Sequence, residues 1–177
     1  MKFRFFSPVL QFLVVFFGWA CFTYAQADAL TGRVIKVLDG DQITIVDSAS
    51  KQYTIKIMGI DAPERYQSFG DKALQNLSAM VFNREVEVEK PMLDRNGLVL
   101  GKVMVAPHDA QCAQNSCQKT VDTGLEQIKA GLAWWYRAKE QTAEDGAQYG
   151  QAEFSAKIHR IGLWSETNPI PPWKWKY

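Results

Sequence analysis

Net charge is nearly absent: 20 Lys+Arg stand against 19 Asp+Glu, a formal +1. That balance excludes a supercharged nucleic-acid arm, and 47% hydrophobic residues with 22% charged exclude a disordered tail. Histidine is scarce, with His108 and His159 alone in the chain, and neither lies close enough to a cysteine to suggest a zinc knuckle. No internal repeat, low-complexity run or Gly/Ser linker divides the 177 residues, which suit one domain better than two. Cysteine is also sparse, and its count of three is odd.

The N-terminus accounts for the odd cysteine. Met1-Lys2-Phe3-Arg4 is a short basic start, Val9 to Trp19 is strongly apolar, and small residues follow at Ala25-Gln26-Ala27. A basic region, an apolar region and an A-x-A site describe a secretory signal peptide over residues 1–27, with a domain over 28–177. A retained anchor would need nearer 20 uninterrupted apolar residues, and Pro8 and Gln11 argue against it. Cleavage removes Lys2, Arg4 and Cys21, moves the balance to about −1, and implies a periplasmic or secreted protein. Cys112 and Cys117 remain, and in an oxidising compartment a close even pair is most simply a disulfide stapling a polar excursion.

The mature pattern changes once, from strands to helices. Leu30 to Leu38 is rich in β-branched residues and ends at Asp39-Gly40-Asp41. Ile43 to Val46 and Tyr53 to Met58 follow with period-two alternation, making a three-stranded meander. A helix is expected from Asp71, its N-cap, with Leu74, Leu77 and Val81 on one face. Val86, Val88 and Lys90 against Glu85, Glu87 and Glu89 predict a fourth strand with a solvated face. The Asn96-Gly97 turn signal leads into a fifth over Leu98 to Val105. Two further helices are expected at Val121–Gly131 and Ala147–Ile161, the second ended by Gly162. Five strands with helices inserted and appended predict an α+β fold, a small closed barrel of the OB type with three α-helices.

Four acids in two turns are the candidates for chemistry: Asp39, Asp41, Asp61 and Glu64. The turns follow the first and third strands of one meander, so both belong to one end of the barrel. Carboxylates on rigid turns suit a hard cation, and a further carboxylate beside the ion can activate a water. Asp-Gly, and acids beside proline, are also ordinary turn chemistry, so composition alone leaves both readings open.

The order of the motifs carries more. Val37-Leu38-Asp39-Gly40-Asp41, Gly59-Ile60-Asp61-Ala62-Pro63-Glu64, Gln67 to Gly70 and Asp94-Arg95-Asn96-Gly97 come first. Gly131 to Tyr136, Gly162-Leu163-Trp164 and the tail Pro171-Pro172-Trp173-Lys174-Trp175 follow. In this order the chain resembles the staphylococcal (micrococcal) nuclease family, or thermonuclease-like domains. The resemblance implies the five-stranded OB barrel and Ca²⁺-assisted hydrolysis of DNA or RNA phosphodiester bonds. It assigns the ion to the carboxylates of Asp41 and Asp61 and the main-chain carbonyl of Ala62, and the general base to Glu64. No partner protein is indicated, no integral membrane domain remains after signal cleavage, and the protein reads as a monomer.

The phosphate-facing positions depart from the family. Lys56 and Leu98 stand where it places arginines, Asn96 where it usually has Tyr, and Gln42 where it usually has Thr. Lys56 keeps the catalytic charge but loses the planar fork, whereas Leu98 keeps nothing. Arg95 is the better substitute for substrate binding; Arg65 is a second, and Lys102 lies too far along its strand. The alternative function is a catalytically inactive OB module that binds nucleic acid or a cell-surface ligand. Trp134, Trp135 and Tyr136 are expected in the core rather than stacked on bases, and the Trp-rich tail folded back on the domain.

Overall fold

The computed structural model describes residues 29–94, 97–108 and 117–176. The segment 1–27 expected to be a signal peptide, Arg95, Asn96 and Cys112 lie outside the described residues.

Five strands build the barrel: β1 (Leu30–Val37), β2 (Gln42–Val46), β3 (Gln52–Ile57), β4 (Glu85–Leu93) and β5 (Val99–Val105). They pair antiparallel in the order β3-β2-β1-β4-β5. A parallel seam between β3 and β5, with Ile55 opposite Val99 and Lys56 opposite Leu100, closes the sheet on itself. Closure leaves no open edge, as expected for a small barrel of this type. The period-two residues point inward: Ile43, Ile45, Ile55, Ile57, Val86, Val88 and Val103 are fully buried. Each such side chain contributes roughly 1.5–3 kcal/mol by leaving water.

β4 runs past its predicted end because a bulge between Glu89 and Met92 admits Pro91, which cannot donate to a regular ladder. The turn before β5 is closed by Asp94 N–H to Leu98 O, 2.8 Å, where the Asn96-Gly97 signal predicts it.

Helix α1 spans Gly70–Val81 and buries Ala73, Leu77 and Val81, spaced four apart; Leu74 is only half-buried. Asp71 is not its N-cap. Phe69, in the left-handed region at φ 67, holds that position without a side-chain bond, and Asp71 lies in the first turn. Helix α2 (Thr123–Lys129) is shorter than predicted because Val121–Asp122 pairs with β5. Asp122 then caps α2, accepting from Gly124 N and Leu125 N. Helix α3 (Ala143–Ile158) begins four residues before the predicted Ala147, where Thr142 accepts from Asp145 N at 3.0 Å.

After α2 the chain returns to the barrel. Trp134–Trp135 pairs antiparallel with Ile60–Asp61, setting Trp134 opposite Asp61. Two short turns of 3₁₀ helix, Gly162–Ser165 and Pro172–Lys174, then lay the C-terminal segment against the domain. No helix among the described residues is long and apolar enough to cross a membrane.

Candidate active site

Two turns and one strand meet at the end of the barrel. The Asp39-Gly40-Asp41 turn joins β1 to β2, and Asp39 Oδ1 accepts from Asp41 N at 3.0 Å, tightening it. Gly40 is required there: a Cβ would lie 2.5 Å from Ala73 Cβ and 2.7 Å from Ala62 Cβ. The tight fit packs the turn between α1 and the Asp61-Ala62-Pro63-Glu64 loop. From α2, the fully buried Gln127 donates to Gly40 O at 2.6 Å and Ala73 O at 2.9 Å. Asn76 Nδ2 donates in turn to Gln127 Oε1 at 2.6 Å. One amide thereby ties the acidic turn to two helices.

Asp41 is 2% exposed. Its Oδ2 accepts from Lys56 Nζ at 2.6 Å and from Ala62 N at 2.9 Å. The same Lys56 ammonium reaches Asp61 Oδ1 at 3.1 Å. Burial pushes the Asp41 carboxyl well above the usual carboxylate range and the neighbouring Asp39 adds to this, while Lys56 pulls it down. For Lys56, burial favours the neutral amine, but the charges of Asp41 and Asp61 outweigh it and hold its pKa above the ordinary lysine value. A buried carboxylate that one ammonium only partly offsets is a ligand suited to more positive charge.

The structure therefore brings Asp41, Asp61, Lys56 and Ala62 together. Ala62, 5% exposed, joins through its N–H. Among the described residues no three of His, Cys, Asp and Glu gather as a ready ligand set, although Asp39 neighbours Asp41. Two carboxylates converging on one nitrogen do fit a hard cation at that point, with other oxygen ligands from backbone or water.

Glu64 is half-buried, and its backbone is pinned rather than its carboxylate. Glu64 N donates to Gln67 Oε1 at 3.1 Å, and Gln67 N donates back to Glu64 O at 2.8 Å. Gln67 also donates through Nε2 to Ile170 O, which anchors the C-terminal segment on this loop, and Ser68 donates to Glu166 nearby. Gly70 supports the same geometry, since any Cβ there would run into the Glu64 carbonyl.

A cleft of about 340 Å³ opens beside Lys56 and Asp61, lined also by Leu100, Tyr136, Arg137 and Lys139. A larger hollow of about 760 Å³ lies between α2 and α3 and is lined by none of the four acids. Leu98 is half-buried in the turn before β5 and offers the cleft no charge. Arg65 is exposed beside Glu64. Lys102 is engaged elsewhere, 2.8 Å from Asp145 and 3.6 Å from Asp122. Sequence reasoning misses Gln127, Arg137 and Lys139. Gln127 alone carried a signal, as a polar side chain inside a helix otherwise headed for the core.

A family model described as staphylococcal nuclease homologue matches residues 54–166, more than half of the chain. Several relatives match the protein over most of both chains. A protein named ParB from Escherichia coli is 36% identical over 83% of this chain and 79% of its own. A micrococcal nuclease from Shigella flexneri is 34% identical over 82% and 79%, and an uncharacterized endonuclease from Haemophilus influenzae 33% over 82% and 72%. With the closed five-stranded barrel and three helices, these matches show that the chain belongs to the family of staphylococcal nuclease homologues.

Proposed function

We propose that the protein is an exported nuclease that hydrolyses phosphodiester bonds of DNA or RNA with Ca²⁺. The observation that carries this reading is the convergence of Asp41 and Asp61 on one cationic point beside an open cleft. The names of the relatives, a micrococcal nuclease and an endonuclease, support it.

Asp41 and Asp61 would hold the ion through their carboxylates, and Ala62 through its carbonyl. When bound, Ca²⁺ supplies positive charge that offsets the charge developing on the phosphate. Glu64 has a backbone fixed by Gln67, and among the described residues its carboxylate accepts no hydrogen bond. It is the group that would take the proton from the attacking water as the new P–O bond forms and the ester P–O bond breaks, the departing alkoxide taking a proton from solvent. Lys56 Nζ bonds both carboxylates here, and with the ion in its place it would turn an N–H donor to a phosphate oxygen. That single donor grips less than a guanidinium fork would. With Leu98 supplying no charge, the enzyme turns over slowly, because one such cation is worth roughly 10³–10⁵ in rate. Export follows from residues 1–27 and accords with a Cys112–Cys117 disulfide.

Cleavage of single-stranded DNA with Ca²⁺, wild type against Glu64→Gln, tests this reading. A loss of about 10²–10⁴ is expected; equal activity in both proteins overturns the assignment.

The half-buried Leu98 favours a second reading, a module that binds nucleic acid or a cell-surface ligand without cleaving. Restoring Lys56→Arg with Leu98→Arg separates the two. If wild type is already fast and the pair adds nothing, the inactive reading fails.

A further inference from the structure

Gln67 is the buried polar side chain of the Glu64 loop, at 7% exposed. Residues 62–69 belong to no helix or strand, so individual hydrogen bonds rather than a ladder set the place of Glu64. Both ends of the Gln67 amide are engaged: Oε1 accepts from Glu64 N at 3.1 Å, and Nε2 donates to Ile170 O. The backbone closes the same loop, with Gln67 N donating to Glu64 O at 2.8 Å and Gly70 N to Gln67 O at 2.9 Å.

An amide side chain is asymmetric, because its oxygen only accepts and its NH₂ only donates. The Glu64 N–H is met by the oxygen alone. The Ile170 carbonyl draws the NH₂ to the opposite side, and so selects the orientation in which Oε1 faces Glu64. Turned over, the amide would set N–H against N–H and oxygen against oxygen, leaving buried polar groups unpaired, which is costly.

The Ile170 carbonyl is itself held in place by the C-terminal segment. Leu163 N donates to Gly131 O at 2.8 Å, which ties the start of that segment to the end of α2. Ser68 donates to Glu166, a second tie to the Glu64 loop. Pro172 is buried and opens the 3₁₀ turn just after Ile170, where consecutive prolines stiffen the backbone. From that turn Trp173 stands edge-on to Trp134 at 6.3 Å, and Trp134 pairs with Asp61. The segment braces the Asp61 strand on one side and the Glu64 loop on the other.

We propose that Gln67 is a positioning residue for Glu64, and that the C-terminal segment, through Ile170 O, sets the amide orientation in which it works. The proposal deepens the nuclease reading and rests on it for the role of Glu64 as base.

The test combines cleavage kinetics with hydrogen exchange on the full chain. Gln67→Met keeps length and apolar bulk but has neither amide donor nor acceptor. It should lower kcat on single-stranded DNA about 10-fold, leaving KM and calorimetric Ca²⁺ affinity within about twofold. In a Glu64→Gln background, assayed at high enzyme, no base remains to be placed, and Gln67→Met should cost nothing more. The same loss in that background, or Ca²⁺ affinity falling in step with kcat, overturns the positioning role. Pro172→Gly leaves Gln67 intact and loosens the turn behind Ile170. It should speed exchange of the Glu64 amide about 10-fold while the amides of α1 keep their wild-type rates. Unchanged exchange at Glu64, or equal acceleration throughout α1, overturns the part assigned to the C-terminal segment. Failure of the nuclease reading shows separately, as no cleavage by wild type or equal cleavage by Glu64→Gln, and the exchange result judges the brace in either case.

Discussion

Lys56 Nζ lies 2.6 Å from the buried Asp41 Oδ2, so the strand that closes the barrel also supplies the positive charge for its acidic turn. The ammonium sits where a divalent ion would meet the same oxygens. Replacing it with Lys56→Met removes a like charge from that point, so Ca²⁺ affinity rises several-fold by calorimetry, as nearby like charges disfavour one another. Cleavage falls at the same time, because the phosphate loses its cation. Affinity and turnover moving in the same direction would contradict this placement.

The Gln127 amide determines where the Asp39-Gly40-Asp41 turn sits. Gln127→Leu leaves the Gly40 and Ala73 carbonyls and the Asn76 amide without that partner inside the protein. A loss of about 2–3 kcal/mol in urea unfolding is expected. Ca²⁺ affinity of the folded variant should fall about 10-fold, as for a residue that orients a ligand. Unchanged calcium binding would reduce Gln127 to a packing role.

Gly70 bears on the backbone of Glu64 and Arg65. A Cβ at Gly70 must displace the Glu64 carbonyl, whereas Asp41 and Asp61 are anchored by Lys56 and Ala62. Gly70→Ala therefore lowers cleavage by about 10-fold or more, by misplacing the base. Calorimetric Ca²⁺ binding should stay within about twofold of wild type, since its ligands do not move. Equal losses in both would show that the two halves of the site move together.

Away from the site, Lys102 ties β5 to α3 through Asp145 and lies near Asp122, which Tyr149 also bonds at 2.9 Å. Burial opposes the charged form of Asp145, but the hydrogen bonds from Lys102 and Thr142 outweigh it and hold its pKa below 3.8. Burial likewise opposes the charge on Lys102, and Asp145 and Asp122 together raise its pKa above 10.5. The depressed carboxyl contributes stability that is present above pH 3.8 and lost as pH falls through the folded value. The raised lysine contributes stability that is present below pH 10.5 and lost as pH rises through its folded value. Lys102→Met should cost about 1–3 kcal/mol at neutral pH. The gap in melting temperature from wild type should close in strong acid. A gap that persists there would mean the loss is one of packing.

The barrel was legible because Ile43, Ile45, Ile55 and Ile57 alternate, and β-branched alternation has few other uses. The two acidic turns were legible as motifs, and their meeting at one end of the barrel was expected from the meander that carries them. The parallel seam that closes the barrel and sets Lys56 opposite Leu100 was not legible, because such a pairing has no local signature. The same holds for the Gln67 bond to Ile170, which joins segments 103 residues apart. Helix ends shifted where backbone geometry outweighed side-chain preference: Phe69 took the cap expected of Asp71, and Thr142 began α3 before its apolar residues did. Tyr136 was expected in the core with Trp134, but it follows the two-residue strand Trp134–Trp135 and stands exposed.

Cleavage rate of single-stranded DNA against Ca²⁺ concentration, for wild type and Asp61→Asn, tests the central assignment most directly. Wild type should show a saturable rise, abolished by chelator. Asp61→Asn should need at least about 10-fold more calcium to reach half its maximum. Wild-type cleavage that persists at full rate in chelator, or half-saturation that is the same in both proteins, would contradict it.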